Sequence, residues 1–157
     1  MSERLQVDLG AVPAVVDHVR ERLASPGARV LVEGTPGSGR RAVADALERN
    51  GAVVVELPRR SSDALLSGLL QAGAAVGWPL PAWSDPTESA QELGTRVAAA
   101  GRSLVILTER LWWTERSPAD ASPDDRVTTE HARAVFDAWT SDPRLGVVIV
   151  ARPSPAA

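Results

Sequence analysis

Residues 34–41 read Gly-Thr-Pro-Gly-Ser-Gly-Arg-Arg. A turn that wraps a phosphate needs glycines, so that successive backbone N–H groups can point inward at the oxygens. A helix that starts directly after it adds the positive end of its dipole. The sequence pattern for this chemistry is G-x-x-x-x-G-K-[ST], after a strand and before a helix. Gly34 and Gly39 have the required spacing, and Gly37 adds freedom between them. Gly34, Thr35, Pro36, Gly37, Ser38, Gly39, Arg40 and Arg41 are therefore the candidate binding set. The last two positions depart from the pattern. Arg40 stands where a Lys would reach the terminal phosphates, and Arg41 where a hydroxyl would hold Mg²⁺. Arg40 keeps the charge, although a planar guanidinium is not an ammonium. Arg41 puts a cation in the place of a neutral metal ligand. The plainer reading is a glycine-rich connector between a strand and a helix.

A second pair lies at the end of the apolar run 104–107, where Thr108 precedes Glu109. Phosphoryl transfer uses an Asp at such a strand end to orient the metal, and a carboxylate nearby to activate water. Thr108 occupies the Asp position, and Glu109 is the candidate base. Glu109 reads equally well as a solvated strand-end residue. Arg41 and Thr108 together remove both magnesium-handling positions. Without the metal, charge developing on the phosphates loses its main stabiliser, so hydrolysis is expected to be slow or absent.

These residues need a scaffold, and the chain supplies a repeating one. Residues 11–25 read as a helix, with Val12, Val15, Val16, Val19 and Leu23 on one face. The runs 29–33, 52–57, 103–108 and 146–150 are short, apolar and rich in β-branched residues, as buried strands are. Helices are expected over 40–50, 61–75, 85–100 and 128–140. Residues 114–126 are polar and contain Pro, and read as a mobile loop. Residues 153–157 read as a frayed tail. Alternation of continuously apolar strands with helices predicts an α/β fold: three αβα layers around a mostly parallel, four-stranded sheet. Ligands in such sheets sit beyond the C-terminal strand ends. The turn at 34–41, the Thr108-Glu109 pair and the Ala151-Arg152 pair all fall there.

Composition narrows the chemistry further. The chain has 157 residues, 44% apolar and 24% charged, as in an ordinary globular domain. One domain over 1–157 is expected, with its core at 12–153. Net charge is −3, so no nucleic-acid partner is expected, although a mixed charge distribution can hide a local basic patch and the Arg40-Arg41 pair is one candidate. There is no cysteine, so thiolate catalysis and Cys-ligated metals are excluded. The two histidines, His18 and His131, are far apart, and no metal site is expected from them. His18 reads as solvated. No run has the length of a membrane span, and the start shows no leader-like apolar stretch, so a cytoplasmic protein is expected. All 17 basic residues are Arg, which points to a GC-rich coding background and offers a mundane origin for Arg40. It offers none for Arg41. Trp139 and Phe136 share an inward helical face. Trp78, Trp83, Trp112 and Trp113 flank loops, where Trp either packs inside or marks a partner surface.

Three segments resemble the core of a STAND-type signalling NTPase, a branch close to the AAA+ ATPases. Residues 30–41 are similar to its Walker A strand and loop, 104–113 to its Walker B strand, and 147–153 to its fourth strand. The resemblance implies that the loop-bearing strand lies beside the fourth strand, and that Arg152 senses a terminal phosphate. It also implies a further strand, a helical lid and a winged-helix part, which the sequence ends before. The departures at 40, 41 and 108 make this a degenerate, pseudo-NTPase version. The expected role is a nucleotide-responsive or purely scaffolding signalling module with a protein partner, of the kind found in bacterial conflict and defence systems. It would bind ATP or ADP without Mg²⁺, or no cofactor. The alternatives are a weakly active ATPase using Glu109 and an interaction module with no nucleotide binding.

Overall fold

Runs of Val, Leu and Ile build the sheet because β-branched chains pack well on a pleated surface buried on both sides. The computed structural model describes residues 3–35, 37–57, 60–79, 85–114 and 119–153. Among these, five strands are β1 (Glu3–Gln6), β2 (Arg29–Glu33), β3 (Val53–Glu56), β4 (Leu104–Leu107) and β5 (Val147–Ala151). Five α-helices are α1 (Val12–Leu23), α2 (Arg40–Arg49), α3 (Ser62–Ala75), α4 (Pro86–Ala99) and α5 (Pro123–Thr140). The strands form one sheet in the order β1-β2-β5-β4-β3, and every pairing is parallel. The α/β architecture with helices on both faces is as the sequence predicts.

Two hydrophobic clusters define the layers. Val15, Val16 and Val19 of α1 and Val43, Ala44 and Leu47 of α2 pack on one face, against Val30, Val32, Val105 and Val148. On the other face, α3, α4 and α5 bring Leu65, Leu69, Leu93, Val97, Val135 and Trp139 against Val53, Val55, Leu104 and Ile106. Alternate residues of β3, β4 and β5 feed alternate clusters, as the twofold period of a strand requires.

The sheet has five strands rather than the expected four, and all are parallel. The added strand is β1, before the expected core boundary at residue 12. Its Glu-Arg-Leu-Gln sequence has one apolar residue and no β-branched run, so it carries no strand signal. It is recruited by pairing with β2, residue for residue from Glu3 opposite Val30 to Gln6 opposite Glu33. Polar contacts then hold it. Glu33, 4% exposed, accepts from Arg4 Nε at 3.0 Å and from Gln6 Nε2 at 3.3 Å. Glu3 meets His18 Nε2 and Arg22 Nε of α1, each at 2.5 Å. His18 is thus not simply solvated; it joins α1 to the edge strand.

The expected loop over 114–126 is a second correction. A 3-10 turn covers Trp112–Thr114, and α5 is already helical from Pro123. The sequence Ser122-Pro123-Asp124-Asp125 is a helix start: Ser122 accepts from the Asp125 N–H, Pro sits in the first turn, and two carboxylates complement the dipole. Residues 115–118, and 154–157 of the expected tail, lie outside the described residues. Trp112 and Trp113 are buried at 5% and 1% exposure, so they are core rather than a partner surface. Trp78 is half-buried with Arg96 5.0 Å over its ring. Trp83 lies outside the described residues.

Two further contacts fix the layers. Gly68 of α3 lies so close to β3 that a Cβ there would stand 2.7 Å from the Glu56 carbonyl oxygen. Arg29 extends from β2 to the C-terminus of α5. Its guanidinium donates to the Thr140 carbonyl at 2.6 Å, to Asp142 at 2.9 Å and to Leu145. It supplies the donors that a helix end lacks. Burial lowers its affinity for the proton, and Asp142 partly restores it.

Candidate functional site

The C-terminal edge of the sheet brings the predicted residues together. Strand β5 lies between β2 and β4, so its end stands between the glycine turn and Glu109. The hydrogen-bond ladder continues past the strands there. The Gly34 N–H donates to the Ala151 carbonyl at 3.0 Å, Thr108 N–H to Val150 at 3.0 Å, and Arg152 N–H to Glu109 at 3.0 Å. The strand pairing β2–β5 is the adjacency that the resemblance implies.

The turn folds on itself. Gly37 and Gly39 have φ of +79° and +102°, a region that glycine enters freely. Gly39 is the N-cap of α2, with no side-chain cap. The Ser38 N–H donates to the Thr35 carbonyl at 3.0 Å. Ser38 is 8% exposed, and its hydroxyl lies over Gly34, 2.1 Å from where a Cβ would be. The Arg40 stem crosses at 3.0 Å from that same point, and Val7 follows β1 to within 2.7 Å of it. The space over Gly34 is therefore filled by the side chains of Ser38, Arg40 and Val7. Ser38 Oγ has no hydrogen-bond partner although it is buried. Pro36 lies outside the described residues.

The two cations turn toward carboxylates of the same chain. Arg40 Nη2 is 3.2 and 3.4 Å from the two oxygens of Glu109, and Nη1 lies 3.5 Å from the Thr108 carbonyl. The Arg40 side chain is 11% exposed and that of Glu109 is 55% exposed. Arg152 Nε approaches the same carboxylate at 3.8 Å. Glu109 thus stands between two guanidinium groups. Arg41 Nη1 donates to Glu56 Oε1 at 2.8 Å, at the end of β3. That hydrogen bond holds the Arg41 guanidinium charged, above the ordinary arginine range. Sequence reasoning did not find Glu56. It lies 15 residues from Arg41 on a different strand, and only the sheet order brings the two together.

Thr108 is not aimed at a metal. It is 2% exposed, and its Oγ1 lies 2.7 Å from both the Leu57 and the Arg110 carbonyl oxygens. One hydroxyl proton can serve one of these at a time. Trp112 Nε1 donates to the same Leu57 carbonyl at 3.1 Å. Thr108 is a brace between the ends of β3 and β4.

A cavity of about 100 Å³ lies here, lined by Arg40, Arg41, Glu56, Leu107, Thr108 and Glu109. Pockets for organic ligands run to roughly 300–1,000 Å³, so this one has the size of a single oxyanion. The residues do not fit Mg²⁺. The Arg41 guanidinium is paired with Glu56, and the hydroxyl at 108 is committed to backbone carbonyls. Among the described residues, no group of three or more His, Asp or Glu could hold a metal ion. No helix among them is long and apolar enough to cross a membrane.

No family model, no curated protein and no solved structure matches this chain.

Proposed function

We propose that the chain is a non-hydrolysing, STAND-like phosphate-loop domain, a regulatory module that works in the cytoplasm through a protein partner. One observation carries this reading: Arg40, the cation of the turn, lies against Glu109, the residue that would have to act as base. A base engaged by the cation meant for phosphate is poorly placed to activate water. The rest of the site supports the same reading. Arg41 is engaged by Glu56 and Thr108 by backbone carbonyls. Any nucleotide is held by arginine charge, without Mg²⁺.

A phosphate-release assay with ATP, with and without Mg²⁺, tests this. No release above the uncatalysed rate is expected in either condition. Magnesium-dependent release that Glu109→Gln abolishes would instead make the chain a working ATPase.

A further inference from the structure

Within this reading of the site, Glu109 has a role that neither hydrolysis nor scaffolding requires. Its carboxylate is planar, anionic and seated between Arg40 and Arg152. A phosphate oxygen pair would make the same contacts with a guanidinium. Two cations open α2, as its first residues, where the helix dipole disfavours positive charge. No acidic residue lies in that first turn, so the compensating anions come from elsewhere, as Glu56 and Glu109. Inside the turn, the Ser38 hydroxyl is buried and has no partner. It is a donor enclosed by the turn, in contact with Gly34 and next to the Arg40 stem.

From this geometry we infer that Glu109 is an internal plug, a tethered carboxylate that occupies a metal-free oxyanion site formed by Arg40 and Arg152. The ligand class is a tetrahedral oxyanion: free phosphate or the phosphate group of a nucleotide. It binds by displacing Glu109. The displaced side chain is already 55% exposed, so it swings into water at little cost. The plug lowers affinity in the resting state, because the ligand must compete with an anion of high effective concentration. Binding would also release the contact between Arg40 and the β4 end, a change that a partner on this edge can read.

The test is calorimetry in EDTA with inorganic phosphate, ADP and ATP as separate probes. Glu109→Gln removes the competing charge and is expected to tighten binding about tenfold over the unaltered chain. Glu92→Gln, which removes the same charge from the exposed Glu92–Arg96 pair on α4, should leave affinity unchanged. Arg40→Ala added to Glu109→Gln should abolish the gain. Tightening for inorganic phosphate assigns the site to a free oxyanion, and tightening for ATP or ADP alone assigns it to a nucleotide phosphate. Equal affinity of Glu109→Gln and the unaltered chain for all three probes would overturn the inference. A measurement on the unaltered chain covers the case of a poorly folded variant. Saturating phosphate should move the guanidinium nitrogen signals of Arg40 and Arg152 and leave that of Arg96 in place. Signals that stay unmoved with phosphate, ADP and ATP alike also overturn it. Neither readout involves turnover, so failure here leaves the non-hydrolysing reading standing, and phosphate release sinks that reading alone.

Discussion

A guanidinium in the first turn of a helix faces the positive end of the helix dipole, at a cost of about 0.3–1 kcal/mol for an exposed group. Arg40 and Arg41 both stand there, and each is answered by a carboxylate from another strand end. The two cations that open α2 are therefore balanced within the site, and Arg152 leaves it one positive charge in excess. Thr108 illustrates how a position that resembles a lost metal ligand can hold a different job. Replacing it with Val keeps the volume and removes the hydroxyl, leaving the Leu57 carbonyl with only the Trp112 indole as side-chain donor and the Arg110 carbonyl without its hydroxyl partner. Thr108→Val is expected to lower stability by about 1–2 kcal/mol, measured by urea unfolding. Thr108→Asp should cost more, because a carboxylate would face carbonyl oxygens at a site that is 2% exposed. An unchanged midpoint for Thr108→Val would mean that the hydroxyl braces nothing.

Elements are held at their ends by side chains from distant parts of the chain, and these holds decide the site's geometry. The last carbonyls of α5 and the loop behind it are served by Arg29 of β2. This bond links the helix to the strand that feeds the glycine turn. Arg29→Met keeps the stem and removes the donors, so about 2–4 kcal/mol of stability should be lost. Arg29→Lys should recover only part of it, since an ammonium cannot reproduce the planar fork. Thermal unfolding of the two variants checks both statements. The central strands and the helix positions were legible in the sequence, because apolar runs such as Leu104-Val105-Ile106-Leu107 admit little else. The start of α5 was misread because Ser122-Pro123-Asp124-Asp125 serves both as a loop composition and as a helix cap. At the site, Gly34, Arg40, Glu109 and Arg152 could be placed on one edge from strand ends alone. The Glu56 partner and the Ser38 orphan could not, since both depend on sheet order and side-chain direction rather than on spacing.

At the scale of the molecule, β1 closes the sheet beside the loop-bearing strand and reaches the turn. The Val7 N–H donates to the Glu33 carbonyl at 2.9 Å, and its side chain packs against Gly34. Without β1, β2 would present an unpaired apolar edge, a template for association. Yet β1 is only four residues long, and much of its hold is ionic. The hydrogen bond from His18, with help from Arg22, keeps the Glu3 carboxyl below the ordinary carboxylate range. A lowered carboxylate pKa contributes stability above the unfolded value and loses it as pH falls through the folded one. The hold of β1 should therefore be complete at neutral pH and weaken below about pH 4.5. Amide exchange separates this from general acid unfolding. At mildly acidic pH, the amides of Leu31 and Glu33, which face β1, should lose protection before those of Val105 and Val148 do. Glu3→Gln should show the same selective loss at neutral pH, because the amide lacks the charge that binds His18 and Arg22. If Glu3→Gln leaves β2 as protected as the sheet centre, the ionic contacts are incidental, and backbone pairing with Val7 packing alone seats the strand.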